Sequence, residues 1–159
     1  MFLAATGCTS PIPADGHGTS AATHSPSTGA HSTTAPDRTK DIMKLRLTVD
    51  DATYEATLND SAASRDFAAL LPLTLTLTDY ASTEKISDLP KKLSTADAPS
   101  GTAAKPGDLT YYAPWGNLAI FYKSFGHAAG LVKLGEFTTG IEQFAKHRGD
   151  FKVTIATAD

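Results

Sequence analysis

Between Tyr111 and Tyr122 the chain concentrates side chains suited to recognition: Tyr111, Tyr112, Trp115, Phe121 and Tyr122, with the Asn117 carboxamide among them. Rings supply broad apolar faces and a carboxamide supplies a directional donor and acceptor, so the set can line a cleft for a peptide or a small ring. The same rings can also fill the interior of a small β-protein. Trp115 lies in a Pro-Trp-Gly turn and Asn117 follows it, which places them better for a cleft than the rings in mid-strand. A second group, Asp79, Tyr80, Glu84 and Lys85, follows a strand at its exit and is expected to meet the Trp115 turn at one barrel mouth. His127 stands in Ser124 to Gly130, read as a loop. Without a placed carboxylate it is a weak general base. His147 ends a helix, where its charge suits the dipole. The candidate ligand-binding residues are therefore Tyr80, Glu84, Tyr112, Trp115, Asn117, Tyr122 and His127. No nucleophile elbow is present, no residue is assigned a catalytic role, and neither a metal nor a cofactor is expected.

These side chains need a scaffold, and hydrophobic period supplies one. Ile42 to Val49 alternates, with Leu45, Leu47 and Val49 on one face, and Thr53 to Leu58 returns after an Asp50-Asp51 turn. Asn59, Asp60 and Ser61 offer caps to a helix burying Ala63, Phe67, Leu70 and Leu71, and Pro72 stops it. Leu73 to Thr78 alternates leucine with threonine at a strict period of two. In Lys85 to Ser94, Ile86, Leu89 and Leu93 are expected on the core. Thr95 to Gly107 is read as a long loop. Leu109 to Tyr112, Asn117 to Lys123 and Leu131 to Phe137 read as strands. Thr139 and Glu142 have capping-box spacing for a short helix carrying Ile141 and Phe144, with Gly149 able to close it. Phe151, Val153 and Ile155 mark the last strand. About seven or eight short strands and two short helices give a mainly β fold, a small closed barrel with helices at its ends.

The stretch Gly107-Asp108-Leu109-Thr110-Tyr111-Tyr112-Ala113-Pro114-Trp115-Gly116-Asn117-Leu118-Ala119-Ile120-Phe121-Tyr122, with Leu131-Val132-Lys133-Leu134-Gly135 and Ile141-Glu142, resembles the bacterial cyclophilin-like domain proteins. The resemblance covers Met43 to Ala156 and implies a cyclophilin-like β-barrel. Cyclophilins proper isomerise X–Pro bonds with an arginine that hydrogen-bonds the prolyl nitrogen as amide resonance is lost. The resemblance would place that arginine on Leu73 to Tyr80, which holds none. Arg46, Arg65 and Arg148 stand outside any aromatic strand motif, and the Phe-His-Arg signature is absent. The expected function is thus binding of a peptide, small molecule or partner protein in an aromatic cleft. A weak or divergent prolyl isomerase acting on envelope proteins is the alternative.

The formal net charge is −3, and two acids balance two bases before Asp41, so the folded part carries it all. That lacks the basic footprint of a nucleic-acid binder. Leu3-Ala4-Ala5-Thr6-Gly7-Cys8 resembles a bacterial lipobox, with Cys8 as the lipidated residue. Ala5 stands where leucine is usual, and the expected upstream regions are missing, so the start codon is expected further upstream. Residues 1–8 are read as a shortened lipoprotein signal. Residues 9–41, rich in Ser, Thr, Ala and Pro, read as a disordered tether to a bacterial cell membrane, on its outer side. His17, His24 and His31 recur in the tether, but no Cys or carboxylate cluster completes a metal site. Residues 42–158 form the barrel domain.

Overall fold

Period-two alternation past Met43 rolls the chain into a closed barrel. In this computed structural model the described residues are 42–159, so the expectations for Cys8, for residues 1–8 and for the 9–41 tether lie outside them. The elements are β1 Met43–Val49, β2 Ala52–Leu58, α1 Ala62–Ala68, β3 Leu73–Tyr80, β4 Glu84–Asp88, β5 Gly101–Ala104, β6 Asp108–Tyr112, β7 Asn117–Phe121, β8 Phe125–Ala129, β9 Leu131–Thr139, α2 Ile141–Phe144 and β10 Phe151–Thr157. Eight strands close in the order β1-β10-β3-β4-β7-β6-β9-β2. Every neighbouring pair is antiparallel. No helix among the described residues is long and apolar enough to cross a membrane.

The alternation sorts side chains as the pattern requires. Leu45, Leu47 and Val49 of β1, Leu75 and Leu77 of β3, Leu118 and Ile120 of β7, and Val153 and Ile155 of β10 fill one interior cluster. Each such side chain contributes roughly 1.5–3 kcal/mol by leaving water. Thr74, Thr76 and Thr78 face out, and the Thr74 and Thr154 hydroxyls meet at 3.1 Å across the β3–β10 pair. β2 and β9 run antiparallel, so the chain leaves them at opposite ends of the barrel. α1, after β2, closes one end with Ala63 and Phe67. α2, after β9, closes the other with Phe144. The α1 cap is Ser61, whose side chain accepts the Ser64 N–H at 3.1 Å.

Three expectations need correction. Thr95 to Gly107 and Ser124 to Gly130 are not simply loops: each contains a strand, β5 and β8, and the two pair into a separate two-stranded sheet. They lack an alternating pattern because they pair only with each other outside the barrel wall. Gly101 permits their close approach, since a Cβ there would fall 2.2 Å from the Ala128 carbonyl oxygen. The expected Thr139–Glu142 capping box is also absent. Thr139 is still paired with Glu55 in β9, and the cap falls on Gly140, whose φ of 85° suits glycine. Finally, α1 ends before Leu70 and Leu71, which pack on the core from the following turn.

Candidate functional site

The same period that fills the barrel also sorts side chains onto its outer wall. On β4, Lys85 points inward while Glu84 and Ile86 point outward. On the paired β7, Leu118 and Ile120 point inward while Asn117, Ala119 and Phe121 share the outer face. Tyr80 ends β3 directly opposite Glu84, and Tyr112 ends β6 opposite Asn117. The β5–β8 sheet brings Phe125 and Ala128 to this face, and Phe125 packs on Phe121 with ring centroids 5.7 Å apart. Between the barrel wall and this flap lies a cleft of about 220 Å³.

Trp115 forms the rim. From the β6–β7 turn its ring meets Tyr80 at 5.6 Å and 88°, and Tyr112 at 5.4 Å and 82°. Both are edge-to-face arrangements, favourable for the ring quadrupoles. They leave aromatic faces open, and Trp115 itself is 55% exposed. Asn117 lies at the floor, only 2% exposed, and its Oδ1 accepts no hydrogen bond from the described residues. Glu84 is half-buried at the edge, and desolvation pushes its carboxyl above the ordinary range.

The cleft thus brings together five of the candidates: Tyr80, Glu84, Tyr112, Trp115 and Asn117. Tyr122 and His127 do not line it. Tyr122 follows Phe121, so the period turns it the other way, and His127 is exposed on β8. Tyr111 belongs to the interior, where its hydroxyl accepts the Leu93 N–H. Ala119, Phe125, Ala128 and Leu131 were not singled out from sequence, and Ile86, expected on the core with Leu89 and Leu93, faces outward into the cleft instead. The Glu84/Ile86 alternation was the available signal for Ile86, but the Lys at 85 masked it.

Lys85 is the main departure. The group Asp79, Tyr80, Glu84 and Lys85 was expected to gather at one barrel mouth near Trp115. Instead the strand period splits it, sending Tyr80 and Glu84 outward and Asp79 and Lys85 inward. Lys85, 0% exposed, holds its Nζ 2.6 Å from Asp79 Oδ2 and donates to the His147 carbonyl oxygen at 2.7 Å. The Tyr122 hydroxyl donates to Asp79 Oδ1 at 2.7 Å. The Nζ also lies 5.4 Å from the Tyr122 ring centroid and 5.6 Å from that of Phe151. Desolvation works to raise Asp79, but the hydrogen bonds from Lys85 and Tyr122 and the lysine charge outweigh it and hold the carboxyl below its usual value. Burial, then the hydrogen bond to Asp79, pushes the Tyr122 hydroxyl up to about 12. A hydroxyl so far from neutrality is a poor proton carrier at physiological pH, so this network reads as a structural latch across the barrel end.

A closed eight-stranded antiparallel barrel, plugged by a helix at each end and carrying an aromatic cleft on its outer wall, defines a cyclophilin-like barrel protein. Residues 47–156 match the sequence model of the cyclophilin-like family, and the chain belongs to that family. Among curated proteins, none matches it. The solution structure of a hypothetical protein from Archaeoglobus fulgidus is similar, with a TM-score of 0.56 and 18% identity over 74% of this chain and 95% of that one. At that identity the likeness concerns the fold.

Proposed function

We propose that the protein is a binding module whose outer cleft captures a side chain of an extended peptide, without catalysing a reaction on it. The observation that carries this reading is Asn117. A buried carbonyl oxygen left without a donor costs about 1–3 kcal/mol, and such groups concentrate where a ligand supplies the missing partner. A half-turn about its last bond lets the carboxamide offer either an acceptor or a donor, the pair a peptide backbone requires. The size supports one side chain rather than a whole small molecule. Sites that enclose drug-sized ligands span roughly 300–1,000 Å³, whereas this cleft holds about 220 Å³. None of Arg46, Arg65 and Arg148 lines it, so no arginine is placed to stabilise a twisted prolyl amide.

Trp115 is the chain's sole tryptophan, so its emission reports on the cleft. In a panel of blocked tripeptides, a subset should quench that emission saturably. Calorimetry on Trp115→Ala should then show those peptides binding about tenfold more weakly. Unchanged affinity in the variant would sink the assignment.

We further propose that Cys8 carries a lipid that holds the domain at the outer side of a bacterial membrane. The lipobox-like run before it and the Ser/Thr/Ala/Pro-rich segment after it support this. Cys8→Ser should shift the protein from the membrane to the soluble fraction. A variant that stays with the membrane rules the anchor out.

A further inference from the structure

The cleft's polar and aromatic groups are arranged for a particular charge. Three electron-rich rings, Tyr80, Trp115 and Tyr112, stand edge-to-face around one rim at centroid separations of 5.6 and 5.4 Å, with angles near perpendicular. In each pair one ring turns its edge to the other's face, and ring surface is still left for a ligand, since Trp115 is 55% and Tyr80 42% exposed. Glu84 is paired across the strands with Tyr80 and lines the same cleft. No lysine, arginine or histidine lines it, so nothing in the lining answers the carboxylate. The contrast with the barrel interior is direct: there Asp79 has both Lys85 and Tyr122 as partners. The floor adds the second unmet group, Asn117, whose Oδ1 is without a donor.

We infer that the cleft selects an organic cation, an ammonium or guanidinium group on an apolar stem, held between the faces of Tyr80, Trp115 and Tyr112 with Glu84 as its counter-charge. The inference rests on the binding role proposed above and names the chemistry of what is bound. Rings around a cation attract it through their quadrupoles, most strongly where water is excluded, and tryptophan is the strongest of the three ring types. Ile86, Ala119 and Phe121 form an apolar wall for the stem. Burial disfavours the Glu84 carboxylate, a penalty that a cation bound beside it relieves. Asn117 is left to bond the amide from which such a stem projects.

The test uses the full chain and Trp115 emission. Blocked tripeptides with a central lysine, trimethyl-lysine or norleucine share a stem but differ in charge. Choline and its neutral carbon isostere, 3,3-dimethylbutanol, form the small-molecule arm. The cationic member of each matched set should bind about tenfold more tightly than the neutral one. Glu84→Gln should shrink that ratio to about threefold or less, the cationic probe losing more affinity than the neutral one. A preference seen with the peptides and weak with choline identifies a peptide-borne cation, and the reverse a free one; both support the inference. Equal binding of charged and neutral probes overturns the cation selectivity while leaving the cleft as a binding site. Quenching by none of the probes, charged or neutral, overturns both readings.

Discussion

Asp79→Ala should lower the unfolding free energy by about 3–5 kcal/mol in a urea titration, the range for stripping a buried charge of its partner. The reason lies in the unequal exposure of the pair. Lys85 is wholly buried, whereas the Asp79 side chain keeps 30% of its surface in solvent. Removing the carboxylate leaves an ammonium in the barrel interior with the His147 carbonyl as its remaining hydrogen-bond acceptor. Removing the ammonium instead, in Lys85→Met, leaves a carboxylate that water and the Tyr122 hydroxyl still reach. That variant should lose only about 1–2 kcal/mol. The double variant should be more stable than Asp79→Ala alone, because the orphaned charge has gone with its partner. Equal losses in the two single variants would show that the pair is not the latch described.

The same pair sets a pH dependence. The folded-state carboxyl of Asp79 lies below its ordinary value of 3.8. A depressed acid contributes stability that is present above the unfolded value and lost as pH falls through the folded one. The wild-type protein should therefore lose this contribution below about pH 4. The double variant should lack that part of the acid slope.

Asn117→Leu should do two opposite things. In the free protein it should raise stability by about 1 kcal/mol, since leucine keeps the branching of asparagine and removes an unpaired buried acceptor. Toward any tripeptide that quenches Trp115, it should cost about thirtyfold in affinity, the loss of a hydrogen bond at the centre of a desolvated cleft. Thermal unfolding and calorimetry read the two effects separately. A variant that is both less stable and normal in binding would place Asn117 among structural residues. A gain on one side with a loss on the other is the signature of a group kept unsatisfied for a ligand.

Much of the barrel was legible because one rule writes it. Leu45-Arg46-Leu47 and Leu73 to Thr78 alternate so strictly that strand, face and interior follow together. Part of the cleft was legible for a related reason: Trp115 lies in the β6–β7 turn, with Tyr112 before it and Asn117 after it, so all three are at or next to a strand end. What stayed hidden depended on contacts distant in sequence. β5 and β8 carry small residues and glycine, and only their mutual pairing makes them strands. Lys85 reads as a surface charge until β4 is placed between β3 and β7, where the period forces it inward to Asp79. Once Lys85 is inward, Glu84 and Ile86 must be outward. The cleft's wall was thus concealed by the residue that determines it.

The most direct test of the outer cleft is a nuclear magnetic resonance titration of the isotopically labelled full chain with the lysine-centred tripeptide. Binding there predicts saturable shifts in the Trp115 indole N–H and the Asn117 side-chain amide, with the Arg46 and Glu55 amides of the β1–β2 pair, across the barrel, unmoved. Shifts confined to the groove between Asn59, Arg65 and Thr102, with those two side chains still, would contradict it.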